Sequence, residues 1–310
     1  MSGNKKPSRP KAPGNRPSGQ TAAQKRLAAQ RAMAAASGAN AARRRRLLTV
    51  LSPVAVVILV AAILVGVKLA SGSNSLKSGV KASAAATSVT SEVTGVPASV
   101  LDSVGKGSIT TPPTSLTGAA LTGASGTARV LFVGAEWCPY CAAERWSLAV
   151  ALSRFGKLSG LGEVSSSPTD VDPNTATLTF HGATFTSSVL SLTAKEIFSN
   201  QVSGSSYEPL DTLSAADEKV YTADGNGFPF LDVGGRYLFS AGYDPGVLKG
   251  LTQSQIAAQL ATPSSTVAQA IDGEANVITA AICKVNGGKP SSVCTSAGVT
   301  AAAALLPTST

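Results

Sequence analysis

Gly134-Ala135-Glu136-Trp137-Cys138-Pro139-Tyr140-Cys141 is the stretch on which the fold turns. The apolar run before it, residues 128–133 (Ala-Arg-Val-Leu-Phe-Val), is short and bounded by Gly126 and Gly134, the pattern of a buried strand. A helical pattern follows the cysteines. Pro139 suits the first helical position, where its fixed φ fits and its missing N–H has no partner to lose. Cys141, Leu148, Leu152 and Phe155 then share one helix face. Cys141 is therefore expected to point into the core, with Cys138 exposed at the N-terminal tip. The partial positive charge of that tip favours thiolate over thiol at Cys138. Cysteines three apart on a first turn also meet disulfide geometry without strain. Strand, Cys-x-x-Cys and helix make the layout of a dithiol redox site.

Trp137-Cys138-Pro139-Tyr140-Cys141 after a strand, together with Gly227-Phe228-Pro229-Phe230-Leu231-Asp232-Val233-Gly234-Gly235, resembles the thioredoxin superfamily. More narrowly, the stretch from Glu136 to Trp146 and Phe228-Pro229-Phe230 look like a membrane-anchored bacterial and archaeal thioredoxin-like family described only as a domain of unknown function. The resemblance implies an α/β fold, a three-layer α/β/α sandwich on a central mixed sheet. It also implies a cis Phe228–Pro229 bond beside the redox cysteines. Trp137, Phe228 and Pro229 would then meet the substrate. Thioredoxins commonly place a buried acid six residues before the first cysteine; here that position is Phe132, which takes no proton. Glu136 and Glu144 are the nearby carboxylates, read as solvated surface charge or as substitutes for that acid.

Charge divides the chain. Of 26 Lys and Arg, twelve lie in residues 1–46, which hold no Asp or Glu, so the remainder carries about −3 although the whole carries +9. That distribution argues against nucleic-acid binding by the folded part. Residues 1–46 read as a disordered basic tail, with helical propensity over 21–36. Arg43–Arg46 precedes an uncharged run, Leu47–Val67, whose 21 residues at about 1.5 Å each span a bilayer core. Residues 47–69 are thus expected to be a transmembrane helix contacting lipid, with the tail cytoplasmic and the rest outside the cell membrane. A cleaved signal peptide is the alternative, although its apolar region is normally only about 7–15 residues.

Residues 70–95 read as a flexible linker of Ser, Ala, Thr and Gly, and a thioredoxin-like domain is expected over 96–262. Pro97–Val104 suggests a short helix, and 156–169 a loop. Residues 176–181 and 189–194 suit strands. His181, the single histidine, reads as a hydrogen-bonded residue at a strand end rather than a ligand or base. Ser214 caps a short helix to Tyr221. Phe230–Val233 and Arg236–Ser240 form a hairpin across the two-residue turn Gly234-Gly235. Thr252-Gln-Ser-Gln255 is a capping box for a helix through Leu260.

Residues 263–310 form a helical extension, with helices expected at 265–271 and 274–285. Cys283 and Cys294 lie eleven apart, and outside the membrane such a pair reads as a structural disulfide. A second redox pair and a four-cysteine zinc site are the alternatives; no metal and no cofactor are expected, since no P-loop, dinucleotide or haem signature occurs. The leading functional expectation is a membrane-anchored thiol–disulfide oxidoreductase for exported proteins, using Cys138 and Cys141 and recharged by a redox partner. Its rivals are a binding or scaffold module with a structural Cys138–Cys141 bond, and a copper carrier.

Overall fold

The computed structural model describes residues 75–123 and 125–307, which fall in one compact unit, Ser75–Thr310. In chain order the first elements are strand β1 (Ser83–Ala84), helices α1 (Thr87–Thr94) and α2 (Ala98–Val104), and strands β2 (Thr114–Ser115) and β3 (Arg129–Ala135). Helix α3 (Pro139–Ser153) follows, then strands β4 (Lys157–Ser159), β5 (Gly162–Ser165), β6 (Ala176–Thr179), β7 (Thr184–Thr186), β8 (Ser191–Ser203) and β9 (Ser206–Pro209). The chain continues with α4 (Ala215–Ala223), β10 (Phe230–Val233), β11 (Tyr237–Phe239), α5 (Gln253–Gln259), α6 (Thr266–Val285), α7 (Ser291–Cys294) and α8 (Ala297–Ala302).

The fold is mixed α/β around a six-stranded sheet of order β2-β11-β10-β3-β8-β9. β3 lies at its centre, parallel to β8 and antiparallel to β10. Side chains of β3 alternate, as a pleated strand requires. Val130 and Phe132 join the core beneath α3 and α6, whereas Leu131 and Val133 join Phe230 and Tyr221 on the opposite face, where α4 lies. With both faces covered, β3 is an unbroken apolar run, as buried parallel strands are. A small sheet, β1-β5-β6, and a ribbon, β4-β7, stand apart from the main sheet.

Several expectations change. The expected linker 70–95 carries α1, a Ser/Thr-rich helix fixed by the burial of Val89 and Val93. The expected loop 156–169 contains β4 and β5, which find partners in β7 and in β6 and β1. β8 runs nine residues past the expected strand end at Ala194, because its polar continuation pairs with β9. The two helices expected at 265–271 and 274–285 are one, α6. The turn after β10 has three residues, since Val233 pairs with Tyr237. From Cys141 to Leu152, helix α3 is buried on every side rather than along one stripe. The capping box at Thr252 and the cap at Ser214 form as the local sequence specifies. Among the described residues no helix is long and apolar enough to cross a membrane; the basic tail and the expected span 47–69 lie outside them.

Candidate functional site

Cys138 is the N-cap of α3 and Pro139 opens the helix. The Cys138 Sγ accepts the Cys141 N–H at 3.3 Å, so the sulfur takes one of the free donors of the first turn. Its thiol is held below the ordinary range, first by a hydrogen bond from the Cys141 thiol, with burial opposing and the Cys141 N–H and the Arg145 charge assisting. Cys141 is pushed well up, first by burial, then by its bond and repulsion from Cys138. The pair is therefore asymmetric: the first sulfur gives up its proton more readily than the second.

Exposure differs from expectation. Cys138 is 4% exposed rather than open at the helix tip. Trp137, Phe198 and Phe228 pack against the cluster of Ala135, Cys138 and Cys141 and shut out solvent. Trp137 stacks on Tyr207 at 5.3 Å and meets Phe228 edge-on at 5.9 Å. Tyr140, between the cysteines, is exposed.

The Phe228–Pro229 peptide is cis. Phe230 pairs with Val133 near the end of β3, so the backbone before it lies at the same end of the sheet as Cys138. Trp137, Phe228 and the two cysteines are thus brought together, with Pro229 next in chain. Beside Pro229 opens a groove lined by Asp224, Gly227, Phe230, Leu238 and Ser240.

Beneath the cysteines lies a charged layer that the sequence reading missed. Arg145, one helical turn after Cys141, is fully buried and binds Glu196 with both arms, Nε to Oε1 and Nη2 to Oε2, each at 2.7 Å. Nη2 also donates to the Ala135 carbonyl at 2.7 Å, the same carbonyl that accepts the Cys138 N–H. Burial pulls the guanidinium down, but the Glu196 carboxylate outweighs it and leaves Arg145 firmly charged. Gly134 permits this approach, since a Cβ there would lie 2.8 Å from Glu196 Oε2. A glycine inside a strand, ahead of Cys-x-x-Cys, marks a close approach and was the one available signal. Phe132 fills the family's acid position with a buried ring, 5.6 Å from Phe180.

Glu136 and Glu144 are both buried, not solvated. Burial raises Glu136, against a Thr179 hydrogen bond and the Arg145 charge. Glu144 faces α6, where burial and the nearby Glu274 carboxylate push it well up. Glu274 accepts the Gly242 N–H, and burial raises it to about 7. His181 is half exposed and its Nδ1 lies 2.9 Å from Asp211 Oδ1.

Cys283 and Cys294 form a disulfide with Cα atoms 5.6 Å apart. They lie at the other end of the sheet. A Cβ on Gly234 would touch Val285, and Gly234 binds the Arg129 carbonyl at the start of β3. The seven residues of β3 separate the two cysteine pairs by roughly 20 Å. Sulfur exchange needs contact, so direct relay between them is out of reach. Among the described residues no group of three or more His, Cys, Asp and Glu is placed to hold a metal ion.

Residues 120–194 match a family described as a domain of unknown function (DUF929). The match spans β3, the Cys-x-x-Cys turn and α3, and ends in the first part of β8. No curated protein and no solved structure matches the chain.

Proposed function

We propose that the protein is a thiol–disulfide oxidoreductase with Cys138 as nucleophile and Cys141 as resolving thiol, anchored by residues 47–69 and acting outside the cell membrane on exported proteins. The observation that carries this reading is the placement of the two sulfurs: Cys138 caps α3 and accepts the Cys141 N–H, which helps draw its thiol down, while Cys141 is fully buried, which drives its thiol up. An attacking thiolate and a protonated second sulfur are what exchange at a substrate disulfide requires. Cys138 attacks one substrate sulfur and releases the other as thiolate. Cys141, on losing its proton, attacks Cys138, frees the reduced substrate and closes the Cys138–Cys141 bond. Run backwards, the same steps oxidise a substrate dithiol, and a redox partner resets the pair in either direction.

The thioredoxin likeness supports the assignment. Its support is the order β11-β10-β3-β8 with one parallel pair, helices on both faces, and Pro229 leading into β10 at the cysteine end. The groove beside Pro229 is placed to take an extended substrate backbone. The rival scaffold reading draws on the burial of Cys138. Replacing Cys141 by Ser separates them, because the oxidoreductase then accumulates mixed disulfides on Cys138 in living cells. Recovery of no such adducts supports the scaffold.

A further inference from the structure

β8 pairs with β3 only as far as Phe198. Its remaining residues continue past the sheet with β9 as a two-stranded arm, in which Val202 faces Tyr207. Tyr207 lies flat on Trp137, and its hydroxyl donates to Ser167 Oγ at 2.6 Å, while the Ser167 N–H donates to the Trp137 carbonyl at 2.8 Å. The arm thereby pins the tryptophan that covers Cys138.

The arm is itself tied down by a distant part of the chain. The Gly79 N–H donates to the Asn200 carbonyl at 2.9 Å. The Asn200 amide donates to the Val80 carbonyl at 2.6 Å and the Gln201 amide to the Gly79 carbonyl at 3.1 Å. The Val202 N–H donates to Ser78 Oγ at 2.9 Å. Asn200 is fully buried and also holds the Ser165 carbonyl. A Cβ on Gly79 would lie 2.5 Å from the Asn200 amide nitrogen, so this close lacing requires glycine. A few residues on, Ser83–Ala84 pairs with β5 and the Ala86 N–H binds Glu163 Oε1. Apart from that two-residue pairing, the stretch 78–84 is irregular chain, and its first three residues lie on the arm.

We propose that Ser78–Val80 is a strap that holds the β8–β9 arm closed over Cys138, and that displacing the strap opens the way to the thiol. Four hydrogen bonds hold the strap, and its one apolar side chain, Val80, is exposed; such segments open at low cost compared with the core. The inference rests on Cys138 being the reactive sulfur, but its test reads access to that sulfur rather than turnover.

In the full chain, with Cys138 and Cys141 reduced and Cys283–Cys294 intact, alkylation of each cysteine is followed by peptide mass mapping. Iodoacetamide and a bulky maleimide are compared at their alkaline plateaus, where differences in thiolate fraction drop out, and the ratio of the two rates reads access. Asn200→Ala/Gln201→Ala and Gly79→Val each raise the Cys138 rate at least about tenfold, the bulky reagent gaining more, while Cys141 stays protected. Tyr207→Ala does the same without touching the strap. Strap variants reacting at the wild-type rate while Tyr207→Ala reacts fast overturn the strap. Tyr207→Ala at the wild-type rate overturns the arm as cover, and Cys141 reacting together with Cys138 overturns the local opening in favour of general unfolding. Failure of the redox reading would appear elsewhere, as an inert Cys138–Cys141 couple with these rates unchanged.

Discussion

Glu144 and Arg145 are neighbours on α3, yet their side chains meet opposite surroundings. Arg145 turns towards β8 and finds Glu196 in a two-armed pair, so a buried positive charge stands beneath the cysteines. Glu144 turns towards α6 and finds another carboxyl, Glu274, so burial and repulsion keep a proton on that side. One face of the helix is charged and compensated. The other is stable only while part of it stays neutral. The difference teaches that burial of an ionisable group says little until its partner is known: one pair favours the thiolate, and the other sets a pH limit on helix packing.

Breaking the compensated face has the largest expected effect. Arg145→Met leaves Glu196 buried and unpaired, which costs about 3–5 kcal/mol in urea unfolding. It also raises the alkylation pKa of Cys138, because the Arg145 charge lowers both thiols. A double change, Arg145→Met with Glu196→Leu, recovers most of the stability but not the low thiol pKa.

A change far from both faces sets the scale. Cys283→Ser with Cys294→Ser removes an eleven-residue link, a loss of about 3 kcal/mol in the chain-entropy account. The alkylation pKa of Cys138, roughly 20 Å away, stays as in wild type. A coupled shift would break the separation of the two cysteine pairs.

The uncompensated face sharpens the comparison through pH. Glu274 titrates near 4.5 when unfolded and at about 7 when folded. Folding favours its protonated form, so stability is full below about 4.5, falls as pH rises towards about 7, and levels beyond. Glu274→Gln keeps an oxygen for the Gly242 N–H and removes the titration. It removes the Glu274 share of that slope, leaving the part due to buried Asp272 and Glu144, and gains on the order of 2 kcal/mol at pH 8, read from chemical denaturation at several pH values.

The smallest effect belongs to the surface. His181→Ala removes a half-exposed pair with Asp211, costs less than about 1 kcal/mol, and leaves Cys138 alkylation unchanged.

Local signals were legible in the sequence. Pro139 after Cys138, the Thr252 capping box and the Ser214 cap each specify structure within a few residues, and each forms. What depends on distant partners was not. Glu144 and Arg145 follow a Cys-x-x-Cys turn and look like helix surface, because their partners Glu196 and Glu274 lie far along the chain. The strands at 157–159 and 162–165 hide among glycines and serines and exist through their pairing. Asn200 and Gln201 end the apolar pattern of β8, yet they are what ties the arm to residues 78–80. Cys138 was placed correctly on its helix; the stacking of Tyr207 on its neighbour Trp137 was not foreseen, since Tyr207 comes from a strand whose own sequence is polar.

The reduction potential of the Cys138–Cys141 couple, titrated in the full chain against glutathione and dithiothreitol, tests the central claim most directly. A thiolate favoured by the Cys141 hydrogen bonds and the Arg145 charge places it between about −120 and −270 mV, the range of working dithiol sites. A value below about −300 mV, where structural disulfides lie, would contradict the account and leave a scaffold with an inert bond.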